Sequence, residues 1–178
     1  MLLPRIYRTV AGATFYCGDM TENSPAITQS HPPAAVLRVM NPIMRALLRT
    51  PLMGGARKQL MVVTFTGRKT GRQYSIPLSA HLIDDTLFAL TDAPWKRNFR
   101  GGTTAQVLHD GKTTTMRGEL IEEPGVVADL YHRCAQSYSA KQAQRALGMK
   151  FRDNQVPSLD DFAEAVNRLN LVAIRFTA

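Results

Sequence analysis

Hydrophobic and polar positions along this chain change their period twice, and the changes divide it into three stretches. Over residues 1–33 no apolar period persists, and Thr21-Glu22-Asn23-Ser24-Pro25 and His31-Pro32-Pro33 are rich in helix and strand breakers. This stretch reads as a disordered or extended leader, with Met20 as an alternative initiator. Over 34–49, Val36, Met40, Ile43, Met44 and Leu47 recur at helical spacing, while Arg38, Arg45 and Arg49 fall on the opposite face. Asn41-Pro42 is a helix-start signal inside that stretch, so two short helices fit it as well as one. Such a basic amphipathic segment either covers a core or lies on an anionic membrane surface.

From residue 60 the pattern turns to β. Strands are predicted at 60–66, 73–82 and 86–91, with Asp84-Asp85 as the turn between the last two. A short helical or turn segment follows over 94–100. Strand character returns at 105–109, and Asp110-Gly111, a strong hairpin signal, joins it to a partner over 113–121. Three helices close the chain. Glu123-Pro124 opens the first, with Val127, Leu130, Tyr131 and Cys134 on its apolar stripe; the second covers 140–147. Ser158-x-x-Asp161 is a capping pattern for the third, whose apolar face is Leu159, Phe162, Val166 and Leu169. Residues 171–176 read as a final strand. Consecutive hairpins and helical cover predict a mainly β fold with flanking helices, a small antiparallel barrel occupying 34–178 as one domain. Helices do not alternate with parallel strands, which argues against a Rossmann sheet.

Composition narrows the class of protein. With 178 residues the chain can bury a substantial core, and 44% hydrophobic with 20% charged residues describes an ordinary globular protein. No apolar run approaches the roughly 20 residues of a membrane span, and the N-terminus lacks the apolar centre of a secretory signal. Two cysteines, Cys17 and Cys134, are too few for a disulfide framework, and a reducing cytoplasm is the expected location. The net charge of +8 favours an acidic partner. Nucleic acid is not the expected one, because the charges are scattered, aromatics are 7%, and no helix-turn-helix, zinc-finger or RNP pattern occurs.

Charge and glycine concentrate at one place. Thr66-Gly67-Arg68-Lys69-Thr70-Gly71-Arg72 puts three fixed positive charges and two glycines between two predicted strands. Such a loop lets backbone N–H groups converge while Arg and Lys add charge-assisted donors, which is a cradle for phosphate or carboxylate. It is equally the composition of a solvated hairpin tip. The Walker spacing is absent, and a strand rather than a helix is expected to follow. Trp95 and Asn98 form a second focus: the indole suits the wall of a planar ring pocket, and Asn98 suits a donor to phosphate or hydroxyl. A core plug and a turn cap account for the same two residues.

Other catalytic chemistry has little support. His31, His81, His109 and His132 stand far apart, with no metal-ligand spacing, and no nucleophile elbow occurs. His81 reads as a satisfied histidine in a strand and Cys134 as a small packed hydrophobe. An enzyme built from this chain needs a cofactor to bring the reactive atoms.

Together, Thr66-Gly67-Arg68-Lys69-Thr70-Gly71, then Pro77, then Trp95-x-x-Asn98-Phe99-Arg100-Gly101-Gly102 resemble the deazaflavin-dependent nitroreductase and quinone reductase family. The resemblance runs from about residue 42 to 121 and implies a six-stranded split β-barrel of the flavin-reductase type. It implies coenzyme F420 as the cofactor, with FMN the alternative on the same barrel, and a small hydride acceptor such as a quinone or nitroaromatic. Lys69 matches the family's phosphate-contacting lysine and Asn98 its asparagine, while Gly67, Arg68, Thr70 and Gly71 shape the loop. Two departures stand out. Tyr74 occupies a place where members often carry Arg, and Thr91-Asp92-Ala93-Pro94 shortens the Gly- and Lys-rich approach to the tryptophan. Arg72, Lys96 or Arg97 would have to compensate. Tyr131 and Tyr138 are acceptor-side candidates by residue type only. A non-catalytic carrier of a flavin-like or lipid ligand is the rival reading.

Overall fold

The computed structural model describes residues 24–30 and 56–178. The amphipathic segment over 34–49 therefore lies outside the described residues, as do Cys17, Met20 and His31.

Seven antiparallel strands make the main sheet. They are β2 (Leu60–Thr66), β3 (Gln73–Ser79), β4 (His81–Ile83), β5 (Thr86–Thr91), β6 (Thr103–His109), β7 (Lys112–Ile121) and β9 (Val172–Thr177), in the order β3-β2-β6-β7-β9-β5-β4. A single helical turn, α1 (Ala56–Gln59), leads into β2, and a 3-10 helix (Pro94–Phe99) links β5 to β6. Helices α2 (Pro124–Gln136), α3 (Ala140–Leu147) and α4 (Leu159–Leu169) follow β7.

The order of the strands forces the sheet to curl. β3 and β4 stand at opposite ends of the hydrogen-bonded order, yet Ala80 alone separates them in sequence. The two ends can be joined by one residue only if the sheet bends round until they meet, and β3 does come against β5. The barrel expected from sequence had six strands and the sheet has seven. The difference arises at Ala80, where the predicted strand over 73–82 breaks in two: the Ala80 amide still bonds the Gln59 carbonyl at 2.9 Å, one step beyond the Leu60–Ser79 pair, and from His81 the chain pairs with β5 instead.

Alternation assigns the two faces. Met61, Val63 and Phe65 of β2, Leu87 and Ala89 of β5, Ala105 and Val107 of β6, and Ile174 and Phe176 of β9 point inward, where they form one cluster with Phe99. The other face is covered by helices. Phe88 and Ala173 point outward to meet Leu130 and Cys134 of α2. Beyond them Tyr131 and Val127 pack with Phe162 and Val166 of α4. Several strands thus have both faces buried, which is why they read in sequence as continuous apolar runs rather than strict alternations.

Local signals hold where turn chemistry is strong. Asp110 and Gly111 adopt φ of 44° and 76°, the paired left-handed geometry of a two-residue hairpin turn. The Ser158 amide donates to Asp161 Oδ2 at 2.9 Å and the Asp161 amide donates to Ser158 Oγ at 3.2 Å, closing the capping box. One element had no such signal. Ile27–Gln29 forms β1, which pairs antiparallel with β8 (Met149–Phe151), in a region where no element was expected. Ile27 is fully buried against the α2–α4 cluster, Arg168 donates to its carbonyl at 2.6 Å, and Arg152 donates to the Ser24 carbonyl at 2.8 Å.

Candidate functional site

The loop over 67–72 is closed on itself and then tied to the 3-10 helix. Within the loop the Gly67 amide donates to the Arg72 carbonyl and the Gly71 amide to the Gly67 carbonyl, each at 2.8 Å. Across the gap, the Arg68 amide donates to Asn98 Oδ1 at 3.0 Å and the Arg68 guanidinium donates to the Arg100 carbonyl at 2.5 Å. Asn98 Nδ2 donates to the Trp95 carbonyl at 2.9 Å, and the Thr103 hydroxyl donates to the Asn98 carbonyl at 2.5 Å. The two sequence foci, thirty residues apart, are therefore one structural unit.

Aromatic packing runs beneath that unit. Phe65, the last buried residue before the loop, lies 5.0 Å from Phe99, 6.0 Å from Trp95 and 5.9 Å from Tyr74 between ring centroids. Tyr74 lies over Gly67, where a Cβ would stand 2.5 Å from the tyrosine ring, and its hydroxyl is 3.2 Å from that of Thr70.

The 3-10 geometry sorts the side chains of Pro94–Phe99. With three residues per turn, Trp95 and Asn98 share one face, and Lys96 and Phe99 share another. The inward pair is Lys96 and Phe99, at 5% and 0% exposure, whereas Trp95 is only half-buried. Lys96 Nζ donates at 2.5 Å to the carbonyl of Asn170, the left-handed residue that ends α4, where the helix dipole also favours a cation. Burial lowers its pKa, and Asp92 and Glu122 pull it back up. Lys96 is accordingly engaged in holding the 3-10 helix to the end of α4. Replacing it with Met keeps the stem but leaves the Asn170 carbonyl without its partner. Lys96→Met is expected to lose about 2 kcal/mol in urea unfolding and to shift Trp95 fluorescence.

The cations that remain at the surface are Arg68, Lys69, Arg72 and Arg97, all exposed. Among the described residues none of the four has a carboxylate partner. Arg100, Arg117, Arg133, Arg152, Arg168 and Arg175, by contrast, each sit on an Asp or Glu. Thr66 and Thr70 are exposed beside the loop. Pro77 lies elsewhere: it pairs with Val62 on edge strand β3, about 17 Å along the strand from Arg72. An edge tolerates its missing N–H. Nothing in the sequence marked Lys96 as an anchor except its three-residue spacing from Phe99.

His81 and Cys134 also come together. Each is 2% exposed, and Cys134 Sγ lies 3.1 Å from His81 Nδ1. Burial lowers the imidazole to about 4 and raises the thiol to about 12, so both are neutral at physiological pH. A neutral thiol beside a neutral imidazole is a packed polar contact and not an activated nucleophile. Among the described residues no cluster of His, Cys, Asp and Glu could hold a metal ion, and no helix is long and apolar enough to cross a membrane.

No known family profile matches this chain, and no curated protein does. Solved structures give weak likenesses. One, described as a domain-swapped dimer, is 12% identical, with 81% of this chain and all of that chain covered (100%), at a TM-score of 0.43. Another is the conserved hypothetical protein Rv2991 from Mycobacterium tuberculosis, 16% identical, covering 75% of this chain and 79% of its own, at a TM-score of 0.40.

Proposed function

We propose that this protein is an oxidoreductase that binds a phosphorylated deazaflavin, coenzyme F420, and passes a hydride to a small organic acceptor. The observation that carries the reading is the Arg68–Asn98 tie, which joins the cationic loop to the tryptophan-bearing helix as one surface. The curled antiparallel sheet supports it as well: with β3 and β4 taken as one bent strand, it has the strand number of a split barrel.

The residues suit such a ligand. Lys69 and Arg72, free of carboxylates among the described residues, supply charge-assisted donors to the phosphodiester, and Arg68 and Arg97 widen the cationic surface towards an acidic tail. Asn98 orients the loop through Oδ1 and has its Nδ2 on the Trp95 carbonyl, so its role is positioning more than direct contact. Ile76, Leu78, Trp95 and Met116 are half-buried against the interior cluster and offer an apolar wall for a planar ring. The bound cofactor supplies the hydride. The chain's own contribution is to hold and align it and to keep water from one face.

Calorimetric titration with F420 and with FMN tests the proposal. Tight binding of F420, weakened about tenfold or more by Lys69→Ala and by Arg72→Ala, is the expected result. Binding of FMN alone would transfer the same site to a flavin enzyme. Failure of both cofactors to bind ends the redox reading and leaves a carrier of some other ligand.

A further inference from the structure

We propose that a cavity at the end of the β2–β3 hairpin remote from the loop is a binding site for a small organic anion with one carboxylate and a compact apolar body. The cavity has a volume of about 310 Å³, at the lower limit for small-molecule sites. It lies where the chain passes from β3 to β4 at Ala80, with residues of α3 on its other side. Leu60, Ala80 and Ala146 form its apolar surface, while Gln59, Ser79, Tyr138, Gln142 and Arg145 supply the polar groups.

The charge of the lining selects the ligand. Among the described residues Arg145 is its one ionised side chain, no carboxylate lines it, and Arg145 has no ion pair. The neutral groups, two hydroxyls and two carboxamides, can each turn a donor to an anion. Gln142 Oε1 already accepts from the Ser139 amide at 3.3 Å and from the Ser139 hydroxyl at 3.0 Å, which leaves its NH2 group for a ligand. The Tyr138 hydroxyl makes no hydrogen bond among the described residues, and burial raises its pKa, so it keeps its proton. One fixed cation with convergent neutral donors matches a carboxylate, and the apolar remainder matches a hydrocarbon or aromatic body.

This site is separate from the cationic loop. Leu60 pairs with Ser79 at the cavity end and Thr66 with Gln73 at the loop end, six strand steps apart, which is about 20 Å. A phosphate gripped by Lys69 and Arg72 therefore does not fill it, and the inference does not rest on the identity of the cofactor.

Titration with phenylacetate, phenylacetamide and acetate tests it on the full chain. Phenylacetate is expected to bind with one-to-one stoichiometry, at least tenfold more tightly than either of the others. Arg145→Gln should bring phenylacetate down to the affinity of the amide, and Ala146→Leu, which fills the cavity, should abolish binding, with far-ultraviolet circular dichroism unchanged in both. Lys69→Ala should leave phenylacetate affinity untouched while it weakens a phosphorylated cofactor. Equal affinity for acid and amide, indifference to Arg145→Gln, loss of binding on Lys69→Ala, or no binding of phenylacetate at millimolar concentration would each overturn the assignment.

Discussion

Lowering the pH from 7 to 4 is expected to remove about 3 kcal/mol of folding stability through His81 alone. The imidazole is buried between β4 and α2, with its Nδ1 on the Cys134 sulfur, and burial lowers its pKa from 6.5 to about 4. Between those two values the unfolded chain binds a proton at this residue and the folded chain does not. Stability therefore rises with pH across the window: the contribution is complete above about 7, and it is lost as the pH falls from 6.5 towards 4. The thiol cannot offset this, because burial holds it protonated up to about 12. Carboxylates act lower. Arg100 and Arg175 hold Glu122 and Glu119 below the ordinary range, and Ser158 does the same for Asp161, so their losses follow below about pH 4.5. Urea unfolding at a series of pH values measures the slope. His81→Leu should flatten it between pH 6.5 and 4.5, and an unaltered slope in that variant would show that His81 is not the titrating group.

Gly118→Val is the second large effect, expected to destabilise by about 3 kcal/mol or more and to lower Tm by about 10 °C. A Cβ on residue 118 would stand 2.5 and 2.6 Å from two ring carbons of Phe99 and 2.9 Å from one of Phe176. Neither ring can retreat. Phe99 and Phe176 are 0% and 1% exposed and meet edge to face at 5.9 Å, and Phe99 packs in the same manner on Phe65 and Trp95. Protein interiors are packed too densely to absorb an added group without moving side chains off their rotamers. The damage should also reach the site, because Phe99 neighbours Asn98 and supports Trp95. Gly118→Ala is expected to lose less stability yet still weaken binding at the loop. Thermal unfolding and a binding titration on the two variants measure both, and wild-type Tm in Gly118→Val would refute the packing account.

The cationic loop shows how far a motif carries. Its composition left a cradle and a solvated tip equally open, and so did the loop in isolation. The bond from the Arg68 amide to Asn98 is what gives it a fixed relation to an aromatic wall. Sequence likewise singled out Trp95, as a pocket wall or a core plug, yet the buried members of that turn are Lys96 and Phe99. Hydrophobicity ranks residues one at a time. Which face of a short 3-10 turn points inward depends on what waits beneath it, here the Asn170 carbonyl at the end of α4, seventy-four residues away.

Strands 60–66 and 86–91, the Asp110-Gly111 turn, the helix over 140–147 and the capping box of α4 were determined by the sequence alone, because each rests on periodicity or turn chemistry within a dozen residues. The tertiary structure alone decided the pairing of Ile27–Gln29 with Met149–Phe151, the break at Ala80 and the meeting of His81 with Cys134. A three-residue strand is too short to show a period, and its hydrogen bonds lie in a partner more than a hundred residues away. A bend that closes a barrel is imposed by the other strands, not by the residue at which it falls. Those contacts are fixed only when distant segments bury surface together, and no local pattern encodes them.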